Sequence, residues 1–268
     1  MSVDTGHHIV AAYDDEFKQL TKHLTQMSGL AETQLQDSLR AVEKRDEKLA
    51  AKVKKQDKQI DTLEREIDAL VVRMLALRQP VANDLRFILA ALRCSSEIER
   101  IGDYAKNIAK RSTALSRMPV TPLTRGVGRM GALVQTMLTD VMDAFLQGDV
   151  EKAIEVWEAD EEVDSLYTSL FRELLTYMME DPRHITPCTH LLFIAKNLER
   201  IGDHATNIAE IIHFQVEGEM LAERRPKADA SNYTVLDPDD EDALEDLPED
   251  PVEEPGASGD DEEGEPSR

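Results

Sequence analysis

Aromatic residues make up only 4% of this 268-residue chain, and runs in which Val, Ile, Tyr or Phe alternate with polar residues between Gly and Pro are missing. That absence excludes a β architecture, and the dominance of Leu, Ala, Glu, Lys and Arg predicts an all-α fold. Cysteine is scarce as well. Cys94 and Cys188 stand at non-equivalent places in a repeating pattern, which excludes a disulfide framework and reads as two buried or idle thiols in a reducing compartment. No stretch approaches the ~20 apolar residues of a membrane span. The best run, Leu85 to Leu92, is broken by Arg86 and stopped by Arg93. The opening MSVDTGHHIV is polar and runs into Asp14, Asp15 and Glu16, unlike a signal peptide. A cytoplasmic protein is expected, meeting membranes peripherally or only through partners. Clustered Lys and Arg are lacking, which disfavours nucleic-acid binding. Gly-rich phosphate loops, nucleophile elbows and zinc-spaced Cys or His are missing too, and His7 and His8 read as solvated. Catalysis has no constellation to rest on.

What is abundant is negative charge, and it is unevenly spread. Of the net -23, residues 229–268 carry seventeen Asp or Glu against one Arg, a net -16, together with Pro238, Pro248, Pro251, Pro255 and Pro266. Such a segment cannot bury enough apolar surface to offset its ordering entropy, so a disordered acidic C-terminal tail is predicted. It reads either as a solubilising tail or as an electrostatic lure or autoinhibitory strap for a basic partner surface.

The rest of the chain is a duplication. Glu99-Arg100-Ile101-Gly102-Asp103 recurs as Glu199-Arg200-Ile201-Gly202-Asp203, and residues 97–110 agree with 197–210 at nine of fourteen positions. Breaks in the helical pattern fall at matching places. Asp46 and Asp149 are suited to N-caps, Gly148 to a C-terminal stop, and Gln79-Pro80 and Asp181-Pro182 to helix junctions. Helices are expected near 8–44, 47–78, 81–116, 124–147, 150–180 and 183–216. They form two tandem three-helix bundles, at 7–117 and 129–217, joined by a Pro- and Gly-rich linker over 118–128. Ile98, Ile101, Ala105 and Ile108, with Leu198, Ile201, Ala205 and Ile208, mark the core stripes. Gly102 and Gly202 cost about 1 kcal/mol each in a helix interior, so their repetition predicts close helix approach.

The repeated acids are the candidate site. Glu99 and Asp103 stand at i and i+4, about 130° to 170° from the centre of the apolar stripe, and Glu199 and Asp203 repeat the geometry; Asn107 and Asn207 follow one turn on. Two carboxylates so spaced can share a hard cation, and Asp57, Asp61, Asp160 and Asp164 flank the stripes of the preceding helices as further oxygen donors. A single ExxxD pair in so charged a helix would be an ordinary solvated face. Its identical retention beside Tyr104 and His204, or Lys106 and Thr206, which differ, argues for a metal or another specific role. A ferritin-like di-iron site needs two ExxH motifs in the core; only Glu210 and His213 have that spacing.

Together with Arg78-Gln79-Pro80, Asp84-Leu85-Arg86 and the run Tyr177 to Pro182, the two ERIGD copies make residues 7–217 resemble the PhoU family of phosphate-transport regulators. The resemblance implies a cytoplasmic, non-enzymatic repressor of the phosphate-starvation response and of phosphate uptake. It would couple a phosphate ABC transporter, through its ATPase subunit, to a phosphate-sensing histidine kinase, and a homodimer is expected. It also implies metal ions on the motif surface, multinuclear iron among the choices with zinc, manganese and magnesium, held by Glu99, Asp103, Glu199 and Asp203. A metal-free adaptor whose acidic motif face docks a basic partner is the competing reading. The resemblance does not cover the acidic tail.

Overall fold

The structure is a computed structural model that describes residues 5–119 and 124–221, with side chains from Tyr13 onward. The acidic tail over 229–268 and the side chains of His7 and His8 lie outside the described residues. The described chain is helical and belongs to one compact unit. Its helices are α1 (Thr5–Lys44), α2 (Glu47–Arg78), α3 (Ala82–Leu115), α4 (Thr124–Gln147), α5 (Val150–Glu158), α6 (Asp160–Glu180) and α7 (Ile185–Glu217), with a 3₁₀ turn at Pro182–His184. The first repeat is α1 to α3 and the second is α4 to α7, three helices each once α5 and α6 are counted as one broken helix.

Matching turn chemistry opens the middle helix of each repeat. Arg45 and Gly148 both adopt left-handed backbone, with φ of 56° and 66°, and Asp46 and Asp149 follow as N-caps. The Asp46 carboxylate accepts from the amides of Lys48 and Leu49, and that of Asp149 from Lys152. Arg45 bears the left-handed cost that glycine avoids, while its guanidinium reaches the carbonyls of Leu115, Ser116 and Met118 at the end of α3. Substituting Asp46→Ala should cost ~1 kcal/mol of stability. Urea denaturation checks this, and an unchanged midpoint would mean that the cap contributes nothing.

Pro80 lies between α2 and α3, where Gln79 takes a left-handed conformation (φ 50°) and Val81 an extended one before the helix starts. Helix α4 spans the range expected for it, Thr124–Gln147. One expectation needs correction. The helix expected over 150–180 breaks at Ala159, where a turn separates α5 from α6. Neither Pro nor Gly stands there to signal the break.

The three helices of each repeat pack on one another as a bundle, and the two bundles share their core. One continuous core runs through both, from Leu20, Leu24 and Met27 in α1 to Ile208 and Ile212 in α7, with a small satellite of Ala41, Ala50, Val53 and Ala109. Equivalent helices form the junction. Helix α3 touches α7 more extensively than any other pair, and α1 packs on α4. Both pairs are antiparallel: Glu97 meets Asn207 while Arg111 meets Phe193, and Glu32 meets Thr139 while Leu39 crowds Gly131. Tyr104 stacks on His204, its own counterpart, with ring centroids 5.5 Å apart. Like positions meeting like positions is the signature of an internal two-fold axis, an isologous interface within a single chain.

Candidate functional site

Helices α3 and α7 are central, and that changes the setting of the motif acids. Each is flanked by neighbours on several sides, α1, α2 and α7 around α3, and α3, α4, α5 and α6 around α7. The face lying opposite one stripe therefore meets another helix, not bulk solvent. The side chains of Glu99 and Asp103 are 22% and 37% exposed, and Glu199 retains only 7%. Asp57, Asp160 and Asp164, expected on the flanks of their stripes, are buried, whereas Asp61 is partly exposed.

In the first repeat the close approach predicted for Gly102 is met. A Cβ on Gly102 would lie 2.9 Å from Ile60 Cδ1 of α2, and the approach brings Asp57 of α2 alongside the motif. Lys106, three residues after Asp103, donates to both Asp103 and Asp57. Gln34 of α1 donates to the other Asp57 oxygen at 3.1 Å and to the Gly102 carbonyl at 2.9 Å. Burial by itself would lower the Lys106 pKa, but the bonds to Asp103 and Asp57 outweigh it and hold the ammonium above the usual lysine value. Burial followed by repulsion from Asp103 raises Glu99, with Arg100 opposing and Asp61 adding to it. Glu64 is raised by burial and by Glu99, Asp68 and Asp61.

The second repeat builds the same corner from different parts. Gly202 lets α6 approach until its would-be Cβ is 3.4 Å from Asp160 Oδ1 and from Val163 Cγ1, so the break at Ala159 delivers Asp160 against the motif. Lys196, three residues before Glu199, donates to Glu199 Oε1 at 2.9 Å and lies 4.8 Å from the centre of the Tyr167 ring. Glu199 Oε2 is buried with no hydrogen-bond partner. Burial pushes the Glu199 pKa up to about 7, with Asp203 and Asp164 repelling it further and Lys196 opposing. At the position equivalent to Lys106, Thr206 turns its hydroxyl to the Asp203 carbonyl at 2.8 Å.

Among the described residues no three His, Cys, Asp or Glu side chains already converge on a point that a metal could occupy. Asn207 leaves the motif face and donates to Glu97 of α3 at 3.0 Å. His204 contacts the same Glu97 oxygen; burial would raise Glu97, yet the bonds to His204 and Asn207 hold it below the usual range. Arg200 lies 5.7 Å from the centre of the Tyr104 ring, and Arg100 sits 3.9 Å from Glu99. Glu210 accepts from the Trp157 indole at 3.2 Å, and His213 sits 3.0 Å from the Glu219 carbonyl, so the ExxH pair is engaged elsewhere. Both cysteines are free and buried.

Sequence reasoning missed Lys106, Lys196 and Gln34. The lysines were findable, since residues three positions from a motif acid share its helix face. Gln34 also left a mark, as a polar residue on the α1 stripe that buries Met27, Ala31 and Leu35.

The duplication that places an acidic corner on each central helix has a counterpart in the comparison with known proteins. The PhoU domain model matches residues 24–112 and 127–212, one match per repeat. The chain belongs to the PhoU family. A phosphate-specific transport system accessory protein PhoU homolog from Caulobacter vibrioides is 55% identical over 223 residues, covering 83% of this chain and 97% of that relative. A homolog of the same description from Xylella fastidiosa is 49% identical over 88% of this chain and 98% of its own length. The crystal structure of PhoU from Pseudomonas aeruginosa superposes with a TM-score of 0.76 at 40% identity, covering 77% of this chain and all of that one. The phosphate transport system regulatory protein PhoU from Streptococcus pneumoniae gives 0.73 at 29% identity, over 79% of this chain and the whole of its own. Among the described residues no helix is long and apolar enough to cross a membrane.

Proposed function

We propose that this PhoU protein is a non-enzymatic cytoplasmic regulator that restrains phosphate uptake and represses the phosphate-starvation response. In this reading it is a homodimeric scaffold set between the ATPase subunit of a phosphate ABC transporter and a phosphate-sensing histidine kinase. The observation that carries the reading is the 55% identity, across 97% of its length, to a relative named for phosphate-specific transport. A strain lacking the protein should express a phosphate-repressed reporter constitutively in high phosphate; a reporter that stays silent would refute the assignment.

Metal binding at the motif acids is part of the proposal. The donor set is all oxygen, suited to hard cations, and the buried, unpartnered Glu199 Oε2 is an acceptor in want of a positive partner. Glu199, Asp203, Asp160 and Asp164 would hold metal in the second repeat, and Glu99, Asp103, Asp57 and Asp61 in the first. The bound ion would supply positive charge to carboxylates that burial makes costly to ionise. Metal content per chain should fall when Glu99, Asp103, Glu199 and Asp203 are all replaced by Ala; equal content in both proteins overturns this part. A metal-free adaptor is favoured by one observation, the neutralisation of Asp57 and Asp103 by Lys106. Its partner contact should weaken with salt and ignore chelator.

A further inference from the structure

Helix α2 and the α5–α6 pair are equivalent by their caps, Asp46 and Asp149. The residues that meet the motif glycines, Ile60 against Gly102 and Val163 against Gly202, fix the same register. In that register Lys48, Lys52, Lys55 and Lys58 of α2 correspond to Glu151, Glu155, Glu158 and Glu161, and all of these residues are exposed. Among them only Lys52 is tied to an opposite charge, Asp37 at 2.8 Å. The internal two-fold therefore relates a positive face to a negative one. Solvation alone explains charge on an exposed helix face, but it gives no reason for the sign to invert at matched positions. The lysine face is also shaped. Lys48, Lys52 and Lys55 border an open groove with Gln59, and Gln59 and Lys58 border the next one, whose walls include the half-buried Leu30 of α1 and Leu63 of α2. Glu66 is the one acid along the two grooves.

Lysines beside leucines suit an acidic segment that also carries apolar side chains. Helix α2 packs on α1 and α3, whereas α5 and α6 pack on α4 and α7, so the two faces look out from opposite flanks. A second copy of the chain that laid its glutamates on these lysines would leave an unmatched face at each end, a contact that does not close. A different protein is the better occupant. We propose that the α2 flank, and not its equivalent in the second repeat, docks an acidic segment with apolar side chains on one of the scaffold's two partners. The inference rests on the scaffold reading given above. Charge inversion breaks the internal two-fold, so a molecule with two similar flanks receives this partner on one of them, while Glu151, Glu155, Glu158 and Glu161 repel the same segment from the other.

The test measures binding of the full chain to the transporter ATPase subunit and to the kinase, each separately. Lys55→Glu with Lys58→Glu places on α2 the residues that the second repeat carries, at exposed positions where thermal stability should hardly change. This variant should weaken one partner at least about tenfold and leave the other unchanged. Lys55→Gln with Lys58→Gln, which removes charge without reversing it, should weaken the same partner less. Glu155→Lys with Glu158→Lys should not weaken that partner at all. Equal affinity of both partners for the parent and the reversed α2 overturns the proposal, as does loss of the same partner from both reversed flanks. A complex of two copies in sedimentation velocity that either reversal dissolves while both partners stay bound assigns the lysines to a second copy and overturns it too. If neither partner binds the parent, the scaffold reading falls and this inference with it.

Discussion

Replacing Phe145 by alanine is expected to lower the unfolding free energy by ~3–5 kcal/mol and to destabilise both repeats together. Phe145 belongs to α4 of the second repeat and is 2% exposed. Its ring centroid lies 6.2 Å from that of Phe87 in α3, which lies 5.6 Å from Phe17 in α1, and Tyr13 meets Phe17 edge-on at 4.8 Å. Half of the chain's six phenylalanines form this one row, and it crosses the boundary between the repeats. Truncation at Phe145 removes the contacts on one side of Phe87 and leaves a cavity where the two halves meet, which the long helices cannot easily collapse to fill. For a unit of this size the melting temperature should fall by roughly 10 °C.

The same experiment tests whether the fold is one cooperative unit. Trp157 is the only tryptophan and reports on the second repeat through fluorescence, while hydrogen exchange of the α2 amides reports on the first. Both signals should shift to the same lower urea midpoint. A shift in Trp157 fluorescence with α2 exchange unaltered would mean that the repeats unfold independently.

Helix type, the Asp46 and Asp149 caps, the matching turns and the duplicated acids all depend on neighbours within a few residues, and each is legible at that range. Helix partnering is not. The stripe of Ile98, Ile101, Ala105 and Ile108 states that α3 buries one face; it carries no sign that Tyr104 stacks on His204 across a second face, or that Glu97 serves His204 and Asn207. The angular argument therefore set Glu199 on the face away from the apolar stripe and could not tell that neighbouring helices bury it there. The break before Asp160 was equally hidden, because no Pro or Gly marks it. Gly102 and Gly202 were the exception. Their cost within a helix is local, so their repetition announced a distant contact, and Ile60 and Asp160 are what each one makes room for.

Burial of Glu199 has a consequence opposite in sign to most carboxylates. Lys196 engages Oε1, yet the loss of water around a side chain whose Oε2 has no partner dominates, and its pKa rises from 4.5 to about 7. Below pH 4.5 the folded and unfolded states both bind the proton, and Glu199 leaves stability unaffected. Between 4.5 and 7 the unfolded chain has released the proton while the folded one retains it, so stability falls as pH rises; above 7 the penalty is constant. After allowance for screening it amounts to about 2 kcal/mol. In chelator, Glu199→Gln should therefore be as stable as the parent near pH 4.5 and more stable above pH 7, a gain that appears on removing a motif residue. Thermal melts of the two proteins across this range measure the difference, and a difference that does not change with pH would sink the argument. Because the penalty is that of a buried charge which Lys196 only partly offsets, a cation delivered to Glu199 relieves it only where the carboxylate is ionised. If metal binds there as proposed, it should raise the melting temperature of the parent more at pH 8 than at pH 5, and the Glu199→Gln protein should lose most of that pH-dependent gain.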